Sequence, residues 1–352
     1  MSAIVAQVGG ADPEAGLYAL ALVLVVSVIY LLILRFLDLN EKEPLWAMVT
    51  AFEQGFLISI LFALLVTAAI TTNVVLEPVA SEVARFIGLA AAVGILGAVS
   101  RGRGWSEIGG VMDGIVYGAA VGLGFAAGET LVRELTFAGR STVLTTGAGT
   151  AIWGTALVGL VHGLFGAVMG AGFGAAARAR TSGGAALWIL TGFVGAVVVH
   201  ILYDLLRTAG AAGGSTVRSW IALALPLVLV LVAIGMSLRR ERRAIDRHMG
   251  PEVDAGVTTQ EELVLLRSFG ARRGAYARAF MRGDFDYWLA LRTLHNRQVQ
   301  LALVNQRAAE EDVPERRQDE EAEAARLRAD IAALRAAAEA RRGRSILRED
   351  GA

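Results

Sequence analysis

Glu82, Glu129, His162, His200 and Asp204 are carboxylate and imidazole side chains set within long apolar stretches of a 352-residue chain. Glu82 and Arg85 are spaced i, i+3 and His200 and Asp204 i, i+4, so each pair shares one face of a helix. Such groups can act on water in two ways. In a metal reading, His162, His200 and a carboxylate, Glu129 or Asp204, hold zinc. Three protein ligands and one water are the usual catalytic arrangement, and the ion acidifies the water. Glu82 or the remaining carboxylate is then the base. In a metal-free reading, a desolvated Glu82 or Glu129 takes the proton from water. His200, oriented by Asp204, then stabilises the oxyanion or protonates the leaving amine. No His-Glu-x-x-His signature is present. The convergence of two histidines with several carboxylates favours metal, with His162, His200 and Glu129 as ligands. The plain readings are a neutralised Glu82–Arg85 pair that ties helices together, a structural His200–Asp204 hydrogen bond and a core His162. Asp113 reads as an interfacial or capping residue, Glu53 as an interfacial carboxylate, and His248 and His295 as surface residues.

The elements that must position these groups are membrane helices. Hydrophobic residues make up 55% of the chain and its mean hydropathy is +0.54. An ordinary soluble domain is about 45–50% apolar even with glycine counted. Cysteine is absent, which excludes disulfides, thiol catalysis and thiolate metal sites. A spanning helix needs about 20 mostly apolar residues. Seven stretches qualify, near 15–36, 47–72, 78–100, 108–132, 146–177, 183–207 and 219–238. This predicts an all-α polytopic bundle of about seven transmembrane helices over 1–238, followed by a charged helical tail over 239–352. The charges divide the same way, with 11 basic and 13 acidic residues in the first part and 22 and 20 in the second. Gly118 and Gly122, and Gly166, Gly170 and Gly174, form small-xxx-small steps that let helix backbones approach.

Basic residues next to the spans set the orientation. Arg35 and Lys42, Arg101 and Arg103, Arg178 and Arg180, and the cluster Arg239, Arg240, Arg242 and Arg243 fall on one side if the helices alternate. Arg133, Arg140 and Arg218, with Arg207 at a helix end, fall on the other. The N-terminus is therefore expected outside the cell membrane and the tail in the cytoplasm. The first basic residue is Arg35, so the positive region of a signal peptide is missing and the first helix is expected to be retained. In this orientation Glu82, Glu129 and His200 sit near the outer face and His162 deeper. A charge at the bilayer centre costs about 2.5–3.5 kcal/mol, which makes such residues functional candidates by default.

The tail reads as three helical pieces. Thr259 and Glu262 form a capping box that opens a helix through about Met281, broken by Gly283. A second helix runs near 284–310 and ends before Pro314. A third, near 317–342, carries Ala324, Leu327, Ile331, Leu334 and Ala338 at alternating spacings of 3 and 4. Two heptads are short for a coiled coil, so the tail reads as a small helical appendage for regulation, self-association or substrate positioning, or as a solvated tail with no specific partner. Basic and acidic residues balance, so nucleic acid is not an expected partner.

Five segments resemble one family. The acidic loop Asp38 to Pro44 with Ala51-Phe52, the segment Pro78 to Arg85, the glycine-rich segment Asp113 to Glu129, the helix opening His162-Gly-Leu-Phe-Gly, and His200-Ile-Leu-Tyr-Asp204 occur in order over roughly 30–207. They are similar to the motifs of the PrsW family, intramembrane proteases related to the CAAX prenyl endopeptidases. The glutamate pair of that family is degenerate here, as Ser81-Glu82, and its lysine is Arg85. The resemblance implies amide hydrolysis within the membrane, near the outer face, on a single-pass membrane protein such as an anti-sigma factor. The lost first glutamate, a proposed water-activating base in related enzymes, favours an alternative: an inactive relative that binds membrane proteins without cutting them. A transporter would also bury charge, but the inverted repeat it predicts is not evident.

Overall fold

The structure is a computed structural model that describes residues 13–37, 43–70, 75–101, 108–136, 148–179, 181–208 and 215–349. Lys42, Arg103, Arg140 and Arg180, used above for orientation, and residues 38–41 of the acidic loop lie outside the described residues. The described residues are almost all helical, with no strand among them. Seven long helices each contain a stretch long and apolar enough to cross a membrane. They are α1 (Pro13–Leu37), α2 (Leu45–Ile70), α3 (Leu76–Arg101), α4 (Val111–Thr136), α5 (Ala148–Ala176), α6 (Ser182–Thr208) and α7 (Ser215–His248). In hydrocarbon every backbone N–H must bond within its own segment, which leaves the helix as the form open to such sequences. Pro78 sits in the first turn of α3, where the missing N–H is not needed.

The first compact unit, Met1–Ile234, is built around α4. The α4 span is 83% buried, against 22% for the spans of α1, α6 and α7. Glycine makes this possible. A Cβ at Gly118 would lie 2.1 Å from the Gly166 carbonyl oxygen, one at Gly170 would lie 1.9 Å from that of Gly114, and one at Gly122 would lie 2.1 Å from that of His162. On the α2 side, Gly124 and Gly55 are closed in the same way by the carbonyls of Phe52 and Val121. The glycine steps are therefore helix-packing surfaces, and the one at Gly122 sets where His162 lies. Gly118→Val is expected to destabilise the unit by roughly 1–3 kcal/mol or more, read as a lowered unfolding temperature in detergent. Gly94→Val, where a Cβ meets nothing within 4 Å, should leave that temperature unchanged.

Polar residues at the helix ends are tied in. Glu43 is buried, accepting from the Tyr117 hydroxyl of α4 through its carboxylate and from Arg35 through its carbonyl. Asp113 accepts from the Gly109 N–H at 2.7 Å and closes the turn that starts α4. Glu53 is exposed on α2.

The second unit, Gly235–Ala352, holds the end of α7 and five more helices: α8 (Gly250–Asp254), α9 (Gln260–Arg267), α10 (Phe269–Met281), α11 (Phe285–Glu310) and α12 (Pro314–Glu349). The Thr259–Glu262 capping box forms. The helix expected to run unbroken to Met281 is interrupted at Ser268, whose side chain accepts from the Ala271 N–H and starts α10 afresh. Gly283 takes φ +73° and turns the chain into α11. The α12 stripe is covered from within the chain, with Ala324, Leu327 and Ile331 packed among Leu294, Leu301 and Val304 of α11. His295, expected at the surface, is instead 1% exposed and contacts the Tyr276 hydroxyl at 3.1 Å. Burial, helped by Arg272, pushes its imidazole down to about 4, so it is neutral at physiological pH.

Glu252 joins these helices. It accepts from Arg328 at 2.6 Å and from Asn305 at 2.8 Å. Burial alone would raise its carboxyl, but the Arg328 and Asn305 hydrogen bonds and the Arg328 charge outweigh that and hold it below the ordinary glutamate value of 4.5. A depressed carboxyl stabilises the fold above its unfolded-state value and loses that contribution as pH falls through the folded one. Protection of the α8 amides from hydrogen exchange, corrected for intrinsic rate, should therefore drop as pH falls below about 4.5. Glu252→Gln should start lower and lack that step.

Candidate active site

Side chains from four helices meet at one end of the bundle. Glu77, Ser81, Glu82 and Arg85 come from the start of α3, Glu129 from the end of α4 and His200 and Asp204 from the end of α6, while His162 comes from mid-α5. Helices that alternate in direction put the start of α3 and the ends of α4 and α6 on the same side.

Arg85 is the hub. It is fully buried, with its guanidinium 4.8 Å from the Phe125 ring centre and 5.6 Å from that of Phe165. Its Nη2 lies 2.8 Å from Glu82 Oε1 and 2.9 Å from Ser81 Oγ, and its Nη1 lies 3.0 Å from His162 Nδ1. The Ser81 hydroxyl donates in turn to the Pro78 carbonyl at 3.1 Å.

This network assigns the imidazole protons. A guanidinium only donates, and each terminal nitrogen carries two hydrogens. Both hydrogens on Nη2 are taken by Glu82 and Ser81. Although Nη2 approaches His200 Nδ1 to 3.1 Å, that ring nitrogen is left to donate to Glu82 Oε1 at 2.9 Å. The Nε2 lone pair of His200 then faces Asp204 Oδ2 at 3.6 Å. His162 is the converse case. Its Nδ1 accepts from Arg85, so Nε2 carries the hydrogen and faces Glu129 Oε2 at 3.6 Å. The His200 ring stacks on Phe165 at 4.5 Å and the His162 ring on Phe125 at 5.8 Å.

All five residues singled out from sequence are therefore in one neighbourhood, in two pairs and an anchor. His162 pairs with Glu129, His200 with Asp204, and Glu82 anchors His200. The expected ligand trio of His162, His200 and Glu129 is not the set drawn closest together. Among the described residues, the group of three whose donor atoms lie within 4.8 Å of one another is Glu77, His200 and Asp204. Glu77 went unnoticed in the sequence because it lies just outside the Pro78–Arg85 motif. The signal was there: Glu77, Ser81 and Arg85 are spaced i, i+4, i+8 and form one stripe on α3.

The three donors suit a metal. One imidazole and two carboxylates are ordinary zinc ligands, and tetrahedral ligands on bonds of about 2.1 Å lie about 3.4 Å apart, close to the 3.6 Å between His200 Nε2 and Asp204 Oδ2. The Glu82–His200 bond is the carboxylate support that metal-binding histidines usually have. Glu82 Oε2 is buried without a hydrogen-bond partner, an unused acceptor in the centre of the site. An apolar groove of about 590 Å³ between α6 and α7, lined by Leu190, Val194, Val198, Leu225 and Leu229, reaches Val199, next to His200.

No curated protein and no solved structure matches this chain. The profile of a family described as PrsW family intramembrane metalloprotease does match, over residues 43–235. That is more than half of the chain, running from the buried Glu43 through α6 and its His200–Asp204 pair into α7. On that match, together with seven helices able to cross a membrane, the chain is a multi-pass membrane protein and belongs to the PrsW family of intramembrane metalloproteases.

Proposed function

We propose that this chain is a metal-dependent endopeptidase of the cell membrane. It cuts single-pass membrane proteins near the outer face, with its own N-terminus outside and its C-terminal unit in the cytoplasm. The observation that carries this reading is the Glu77–His200–Asp204 donor group braced by Glu82. A zinc ion held there would acidify a bound water and polarise the scissile carbonyl. The chain's own groups supply the rest. Arg85 pairs with Glu82, and Glu82 fixes the His200 ring by accepting a hydrogen bond from its Nδ1–H. Glu129, partly open to solvent, takes a proton from the attacking water and delivers it to the departing amine nitrogen, while the His162 Nε2–H steadies its carboxylate. The net change is one water added across the amide, its hydroxyl to the carbonyl carbon and its hydrogen to the amine. The groove beside Val199 gives a substrate's apolar span an approach to these residues.

The test is cleavage of a panel of single-pass membrane proteins, an anti-sigma factor among them, by purified enzyme in lipid. The wild type should cut at least one substrate near its outer end, chelation should stop it, and His200→Ala should lower the rate at least about 100-fold. Glu129→Gln should lower it by about 10²–10⁴. Cleavage indifferent to chelation and to both substitutions would refute the reading. Ser81, which lacks the carboxylate of the family's pair, favours the non-cleaving binder. That alternative predicts stable complexes with membrane proteins and no product.

A further inference from the structure

We propose that the second unit docks on the surface of an anionic phospholipid bilayer through the tip formed by the end of α10 and the start of α11. Phe280, Met281, Phe285 and Leu289 are 52%, 84%, 57% and 54% exposed there, as one group, whereas the other exposed large apolar residues described in this unit, Met236, Val264 and Val313, are scattered singly around its two cores. The tip is ordered: the Phe280 ring meets Phe285 edge-on at 5.3 Å and Trp288 at 5.9 Å.

Charge identifies the occupant. Residues 263–283 contain five arginines, Arg267, Arg272, Arg273, Arg278 and Arg282, and no acidic residue. Arg272 is buried against Glu241 and Arg267 pairs with Asp246. Arg278 and Arg282 are exposed. Met281 shares a helix face with Arg278 at i, i+3, and Arg278 with Arg282 at i, i+4. Of the acids that follow, Asp284 accepts from the Tyr287 N–H as the cap of α11, and Asp286 is exposed. Apolar and aromatic side chains beside arginines are the composition of an element that lies at a membrane surface, with rings among the headgroups and cations on the phosphates. A bilayer is always within reach, because the unit begins at Gly235, inside the seventh apolar span, Trp220–His248. Tethering raises the effective concentration of that surface, so weak contacts suffice.

The absence of cysteine makes the test direct. Full-length protein carrying Met281→Cys, labelled with an environment-sensitive fluorophore, is placed one copy per nanodisc. Emission should shift to the blue in phosphatidylglycerol discs and be quenched by doxyl lipids, but stay aqueous in phosphatidylcholine discs. Arg278→Gln with Arg282→Gln should lower the ratio of docked to free by roughly tenfold or more, and high salt should do the same. A label at Glu321→Cys should stay aqueous throughout. An aqueous probe at position 281 in anionic discs overturns the proposal. So does a blue shift confined to discs holding two copies, which would make the tip a contact between chains, and so does a shift indifferent to lipid charge.

Discussion

Glu77→Gln should abolish proteolysis, and adding Ser81→Glu to that variant should bring part of it back. Glutamine keeps the shape of the side chain and removes the anion. With only His200 and Asp204 left, metal content per chain should fall together with activity, by about 100-fold or more in rate. Ser81 lies one turn further along the same face of α3, with its Oγ 3.5 Å from His200 Nδ1 and 2.9 Å from Arg85 Nη2. A glutamate there places a carboxylate beside the same imidazole and guanidinium. Recovery in the double variant would mean that Glu77 supplies the negative charge that position 81 lacks. A merely structural Glu77 would not be rescued from position 81. If Glu77→Gln keeps wild-type metal content and wild-type rate, the Glu77–His200–Asp204 assignment fails, while membership of the family stands.

The second large effect concerns the ion pair beneath the site. Glu82 and Arg85 are both fully buried, with Nη2 2.8 Å from Oε1. Arg85→Met should cost about 3–5 kcal/mol of stability, because it strands a carboxylate in an apolar interior. Combining it with Glu82→Gln should recover much of that loss, since neither charge then remains. Activity should not follow. Without the Glu82 anion the His200 Nδ1–H has at most a neutral amide oxygen to donate to, and the double variant should stay about 10–100-fold slow. Unfolding temperature in detergent and turnover of the best substrate read the two effects separately. A double variant as unstable as Arg85→Met would mean that Arg85 matters chiefly through its contacts with Phe125 and Phe165.

The bundle was legible because hydrocarbon allows so few solutions: length and apolarity alone placed seven spans on the seven long helices, six of them within a few residues at both ends, while the seventh helix runs ten residues further, to His248. That Glu82, Glu129, His162, His200 and Asp204 share one neighbourhood was legible because charge is so costly in such spans that these residues stood out. Their pairing was not legible. Which carboxylate meets which imidazole depends on helix rotation, fixed here by carbonyl contacts at Gly118, Gly122, Gly166 and Gly170. Glu77 was overlooked because it opens α3, where an acid reads as ordinary helix-terminal chemistry. His295 was misread for a similar reason. A histidine in a charged helix looks solvated, and only the way α10 folds back to bring Tyr276 against it takes it from water.

Where α4 and α5 meet at Gly114, Gly118, Gly122, Gly166 and Gly170, peptide touches peptide, and at those contacts no side chain can change rotamer to take up slack. A protein in a fluid solvent must adjust as lipid thickness varies, and helices adjust by tilting. This seam has little freedom to do so; the more open α1, α6 and α7 have more. The offset between Glu129 and His162 should therefore hold across membranes of different composition, while the reach of His200 and Asp204 towards Glu77 is free to vary with them. On the proposed reading, lipid thickness would then act on one half of the candidate site and leave the other half as a fixed rule.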